Sequence, residues 1–251
     1  MTGLVTLTKK ELKEQLRTYK LLIVAGIFLL FGIATPLMFN YLPELLALSG
    51  EAIAFELPTF TTVQVLGEYV STLSQLGILV VILIGMGAIA RERERGTAAM
   101  VLCKPVGRGS FIIAKLLGLS ATSLVSLALA GLACYGYTSF LFGEVNGSAF
   151  LALHLLLGLF FVTCLSVILL FSSLFKSQLA AGGMALVVLI GQGLISGIPG
   201  IGSYTPNKLV SWGTDLLSGS ASSSWPAVAA SLGTIVVCLF LSWFILRRSE
   251  V

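Results

Sequence analysis

The chain has 251 residues, 57% of them hydrophobic and only 10% charged, with a mean hydropathy of +1.01 and a formal net charge of +4. Soluble domains run at about 45–50% apolar and about 25% charged, so a soluble globular domain is excluded. Disorder needs low hydrophobicity and high charge, and is excluded by the same numbers.

What remains is a polytopic membrane protein. A helix needs about 20 mostly apolar residues to cross a hydrocarbon core about 30 Å thick. Six stretches qualify: residues 21–39, 71–90, 116–137, 149–175, 179–198 and 226–246. None alternates polar and apolar residues with period two, so a transmembrane barrel is not indicated. A charged segment precedes the first span and no small-residue cleavage site follows it, so no cleavable signal peptide is expected.

Residues 1–20 read as an amphipathic helix lying in the membrane interface. Leu12, Leu16 and Tyr19 recur on one face, with Lys9, Lys13, Arg17 and Lys20 on another. Thr8 and Glu11 fit a capping box, which predicts a helix start at Thr8. Residues 40–70 form an outer loop with Pro43, Pro58 and four glutamates. Residues 91–115 begin with alternating charges, Arg91 to Arg95, and a Gly96-Thr97 pair suited to a turn. A short apolar run, 98–102, is then stopped by Pro105. Apolar surface held between charged flanks suits docking to a soluble partner. Residues 199–225 are rich in Gly, Ser and Pro, and predict an outer loop or a re-entrant segment. Trp212 and Trp225 suit the headgroup zone there.

The charge distribution orients the chain. Fourteen of the 15 lysines and arginines fall at the N-terminus, in the 91–115 loop, at Lys176 or at the C-terminus, all on one side of the predicted spans. The other side holds Lys208, with Glu44, Glu51, Glu56, Glu68, Glu144 and Asp215. Basic residues are retained in the cytoplasm, so both termini are expected there, as an even number of spans requires. This bias serves topology and anionic headgroups, and does not indicate nucleic acid.

The span cores contain no Asp, Glu, Lys or Arg, which counts against a proton-coupled carrier. The polar groups in them are uncharged, among them Gln75, Ser123, Ser126, Thr163 and Gln192. His154 is the single histidine and reads as a packed residue. Cys103, Cys134, Cys164 and Cys238 lack disulfide or metal-ligand spacing, so no metal site is expected. Ser196 has the wrong spacing for an intramembrane serine protease, and no histidine follows it. Gly193 and Gly197 form a small-xxx-small pair that serves either a dimer seam along the exit path or close packing within one subunit. Gln192 is costly against lipid, so it is expected at the dimer interface or on the translocation path.

The 91–108 segment resembles the loop after the second span in permeases of the type-2 ATP-binding cassette (ABC) transporter family. Glu92, Arg93, Glu94, Gly96, Thr97, Leu102, Pro105, Val106 and Arg108 match its pattern; Arg91, Ala99 and Gly107 depart from it. Lys9-Lys10-Glu11-Leu12-Lys13 is similar to the family's elbow helix, and residues 172–177 to its second cytoplasmic turn.

The resemblance implies an all-α, six-span permease with an N-terminal interfacial elbow helix, in the cytoplasmic (inner) membrane. Residues 1–251 would form one transmembrane domain: an elbow over 1–20, a coupling loop over 91–115, and an outer loop or re-entrant segment over 199–225. It implies a second permease copy, identical or not, and a soluble ABC ATPase. That ATPase would dock through Arg91, Glu92, Arg93, Glu94, Gly96, Thr97, Pro105 and Arg108, with Lys176 as a second contact. The chain contains no Gly-x-x-x-x-Gly-Lys-Ser/Thr loop, so ATP and magnesium are expected on the partner and no cofactor on this chain. The implied activity is export driven by ATP. A membrane anchor that recruits an ATPase without transport, and a stand-alone channel or carrier, are the alternatives.

Overall fold

The computed structural model describes residues 2–48, 60–96, 107–219 and 223–248. Among these residues every regular element is helical. Helix α1 runs Thr2–Arg17 and α2 runs Lys20–Leu48. Helix α3, Thr62–Thr72, passes through a π-helical turn, Leu73–Gly77, into α4, Ile78–Gly85; the short α5, Ala90–Glu94, follows. Next come α6, Arg108–Phe142, α7, Gly147–Leu174, and α8, Gln178–Ser196. A 3-10 turn, Gly202–Tyr204, leads to α9, Asn207–Leu217, and α10, Trp225–Arg248, closes the chain.

Among the described residues six segments are long and apolar enough to span a membrane, matching the six stretches read from sequence. Span 4 (α7) is the hub. It packs against α4, α6, α8, α9 and α10, and 67% of its apolar window is buried, against 17% for α10. Spans 1 and 3 (α2 and α6) pack closely because Gly32 lies flat on Ala130: a Cβ at Gly32 would stand 2.4 Å from the Ala130 carbonyl oxygen. Small residues permit such approach where no hydrophobic force drives helices together. Buried hydroxyls in α6, α7 and α10 bond back to their own helices, as Ser126 does to the Thr122 carbonyl at 2.8 Å and Ser231 to that of Ala227 at 2.7 Å. Hydroxyls bonded in this way are satisfied without leaving the span.

Several boundaries differ from the sequence reading. The first helix begins before Thr8, so the expected capping box does not form. The Thr8 hydroxyl donates to the Leu4 carbonyl at 3.0 Å within the helix, and Glu11 turns inward to another helix. Helix α2 continues to Leu48 through Pro36 and Pro43, into what reads as loop. A helix flanked by protein and lipid tolerates proline when neighbours satisfy the freed backbone groups. The capping box that does form is Thr61–Gln64: Thr61 Oγ1 accepts from the Gln64 amide at 3.4 Å, and Gln64 Oε1 from the Thr61 amide at 3.0 Å. It starts span 2 nine residues before the expected 71. The 199–225 stretch contains a folded element, α9, which packs on α7 and buries Trp212.

Candidate functional site

Two regions combine polar chemistry with defined geometry, one at each end of the bundle. The first gathers α1, the end of span 2 and the start of span 3. Lys115 enters span 3 almost wholly buried, and its Nζ lies 3.1 Å from Glu11 Oε1 and 2.5 Å from Glu92 Oε1. The elbow helix, the loop helix α5 and span 3 are thus tied by one ammonium. Gly118, one turn after Lys115, makes the approach feasible; a Cβ there would stand 2.9 Å from Glu11 Cβ. Burial pushes the Glu11 carboxyl above its usual range, against the opposing pull of Lys115. Glu14 joins the cluster, with carboxylate oxygens of Glu11, Glu14 and Glu92 within 4.8 Å of one another. A cavity of about 340 Å³ opens beside it.

The break at the end of span 2 is held by Ser172 of span 4. Its hydroxyl accepts from the amides of Ile89 at 2.9 Å and Ala90 at 3.0 Å, and donates to the Met86 carbonyl at 2.9 Å. Residues 86–89 leave the helical ladder, so their backbone groups need these partners. Arg93 reinforces the joint by donating to the Ser173 carbonyl.

The residues expected to dock an ATPase therefore separate into two sets. Glu92 and Arg93 turn into the fold, and Arg108 donates to the carbonyls of Leu246 at 2.8 Å and Arg247 at 2.7 Å, closing the end of α10. Arg91, Glu94, Gly96 and Lys176 are exposed on the same end, together with Arg95. Gly96 has a positive φ of 68°, the turn that the sequence indicates there. Gln178 donates to Glu94 at 3.5 Å, which places the two loops side by side. Thr97, Pro105 and the apolar run 98–102 lie outside the described residues.

The second region lies at the opposite end. A cavity of about 400 Å³ is lined by the π-helical stretch of span 2, by Phe160 of span 4, by Ser196 and by α9. Its polar groups include Ser71, Gln75, Asn207 and Thr214, and none of the lining residues is charged. Gln75 donates to the Ser71 hydroxyl at 2.9 Å. A π-helical turn inside a span often marks a functional position, because it re-aims side chains that a regular helix would stack. Gln192 and Gly193 are half-buried and do not line this cavity, and Gly197 is exposed. A Cβ at Gly193 would meet the Asn207 amide nitrogen at 3.3 Å, so this glycine makes room for α9 within the same chain. His154 is packed, as expected, with Nε2 3.2 Å from the Tyr69 hydroxyl and Nδ1 3.0 Å from the Phe150 carbonyl.

Sequence reading missed both regions in part. Lys115 was legible as the last charge before a span, but its two partners were not, since they come from elements 23 and 104 residues away. The second cavity needs α9, whose start carries no cap signal.

The comparison with known families agrees with this architecture. The sequence profile of the ABC-2 family transporter proteins matches residues 5–251, nearly the whole chain. The chain belongs to the ABC-2 transporter family. It is similar to a Bacillus subtilis (strain 168) protein described as uncharacterized transmembrane protein YxlG, 31% identical over 189 residues, or 72% of this chain and 71% of that one. As an ABC-2 protein with six candidate spans, it is a multi-pass membrane permease component of an ABC transporter.

Proposed function

We propose that this permease is one half of a dimeric, ATP-driven exporter of the cytoplasmic membrane. A separate soluble ATPase binds ATP and magnesium and docks on the end of the bundle that carries α1, α5 and both termini. The carrying observation is the surface on that end: Arg91, Glu94, Arg95, Gly96 and Lys176 stay exposed, while the residues around them are locked into the fold. Exposed charges mounted on a rigid joint are what a docking face requires, because motion pressed on α5 passes directly to spans 2, 3 and 4. The abundance of basic residues on this end supports a cytoplasmic placement for it and for both termini.

At the far end, the uncharged cavity between spans 2, 4 and 5 and α9 supports a cargo route that opens outward. Its hydroxyl and amide lining suits an amphipathic or neutral cargo. Pull-down from native membranes in mild detergent tests the reading. A phosphate-loop ATPase recovered in equal amount, and lost with Glu94→Lys plus Lys176→Glu, is the expected result. An ATPase whose turnover ignores every exported compound would support the membrane-anchor alternative. Flux with no ATPase present would support a channel or carrier.

A further inference from the structure

The cavity beside Lys115 offers Glu14, Gln15 and Lys20, which the docking role leaves unused, together with Arg91 and Arg95, which it shares. Its walls carry Glu14, Gln15, Lys20, Arg91 and Arg95 around the Glu11–Lys115–Glu92 cluster. Among the described residues, Glu14, Lys20, Arg91 and Arg95 form no ion pair. Gln15 is 4% exposed, and its buried Oε1 has no hydrogen-bond partner. A buried carbonyl oxygen left without a donor is costly, so this wall lacks a donor that a ligand can bring. The site thus presents two unmatched acceptors, Glu14 and Gln15, next to three unmatched cations.

A simple anion satisfies the cations and leaves the acceptors bare. A divalent cation satisfies the carboxylates, but has to sit against the Lys115 ammonium, which already contacts Glu11 and Glu92, with Lys20, Arg91 and Arg95 on the same walls. A ligand carrying both a phosphate and an N–H-bearing ammonium satisfies both halves. The volume of about 340 Å³ falls within the small-molecule range of about 300–1,000 Å³. The location favours a lipid source. The cavity sits where spans 1, 2 and 3 meet the interface; the neighbouring strip of the elbow helix exposes Leu12 and Leu16, and the turn after it, where Tyr19 has a φ of 57° and ends the helix short of residue 20, exposes Tyr19. A helix of that kind lies among acyl chains.

We propose that this cavity binds the headgroup of an aminoethyl phospholipid, with the phosphate at Lys20, Arg91 and Arg95 and the ammonium at Glu14 and Gln15 Oε1. The bound lipid pins the elbow helix to the end of span 2. The assignment rests on the membrane-spanning fold and is independent of the ATPase reading. Phosphatidylcholine has the same phosphate, but its trimethylammonium has no N–H, so it is the natural control.

The test is native mass spectrometry of the purified full-length chain, titrated with phosphatidylethanolamine, phosphatidylcholine, soluble phosphoethanolamine or magnesium chloride. Phosphatidylethanolamine is expected to bind about tenfold tighter than phosphatidylcholine, the scale of one charge-assisted hydrogen bond. Glu14→Gln should remove that preference. Gln15→Leu should also reduce it, while raising the melting temperature in phosphatidylcholine because an orphaned carbonyl is gone. Opposite signs in those two readouts are not produced by misfolding, so this variant decides the matter if Glu14→Gln folds poorly. Equal binding of the two lipids, or a preference that survives both substitutions, overturns the proposal. Phosphoethanolamine bound as tightly as the lipid would assign the cavity to a soluble phosphate ester and overturn the lipid source. Glu14-dependent stabilisation by magnesium alone would overturn it in favour of a metal site.

Discussion

Glu11 of the elbow helix and Lys115 of span 3 lie 3.1 Å apart in the sequence-distant corner where three elements meet, and Lys115 bonds Glu92 of α5 as well. One buried cation therefore holds the interfacial helix, the loop helix and the bundle in register. Such pairs contribute little net stability compared with an apolar replacement of the whole group, but removal of one member is severe. The Lys115 side chain is only 4% exposed, so solvent cannot compensate.

Lys115→Met is expected to destabilise the protein by about 3–5 kcal/mol, since it leaves buried carboxylates without their cation. The loss should depend on pH. Glu11 already titrates above its usual range because of burial, with Lys115 pulling it back down. Without Lys115 it rises further. The cost of the charged carboxylate is present above that raised value and is relieved as pH falls through it. Thermal unfolding in detergent should therefore show a larger deficit for Lys115→Met at pH 8 than at pH 5. A deficit that grows on acidification would contradict this account. Glu11→Gln in the same background should recover part of the loss at pH 8.

Ser172→Ala is expected to cost about 1–3 kcal/mol, because the buried amides of Ile89 and Ala90 lose their acceptor. Hydrogen exchange checks it locally: protection at residues 89 and 90 should fall, while the middle of span 4 keeps its own. Uniform loss of protection would show that the hydroxyl serves global stability instead of the joint.

Gly32→Ala should destabilise by about 1–3 kcal/mol through overpacking, since its Cβ would stand 2.4 Å from a backbone oxygen that cannot rotate away. Gly26→Ala in the same span is the control, with nothing within 4 Å of the added carbon. Melting temperatures of the two variants should differ in sign or nearly so, because helix propensity favours alanine where space allows.

The layout of this protein was legible because a membrane reduces the problem to few variables. Runs of apolar residues set the spans, and Lys176, Arg247 and Arg248 fall beside the other basic residues as the count of spans demands. What failed was local. Thr8 and Glu11 have capping-box spacing, yet the helix starts earlier and Glu11 serves Lys115. Spacing alone does not distinguish a cap from a mid-helix pair. Arg108 matches a docking pattern, and its bonds to the end of α10 are a further contact that no local signal encodes. The cavity at the far end of the bundle depends on a π-helical turn and on α9 folding back over span 4, both set by packing across the chain.

Glu94 and Glu92 are two residues apart and match the same family pattern, but they should behave differently. Glu94 is exposed on the proposed docking face, while Glu92 bonds Lys115. Glu94→Lys is expected to reduce ATPase recovery in the pull-down by about tenfold, a loss of about 1.4 kcal/mol, while leaving the melting temperature within a degree or two. Surface charges contribute little to folding, so its effect should appear in binding alone. Glu92→Gln should do the reverse. It weakens the tie to span 3, lowers the melting temperature, and reduces ATPase recovery only as far as the folded fraction falls. High salt should further separate the two, since the contact made by Glu94 is screened and the buried pair is not. Equal binding losses from the two variants at equal stability would place both carboxylates on the docking face and reject the division made here.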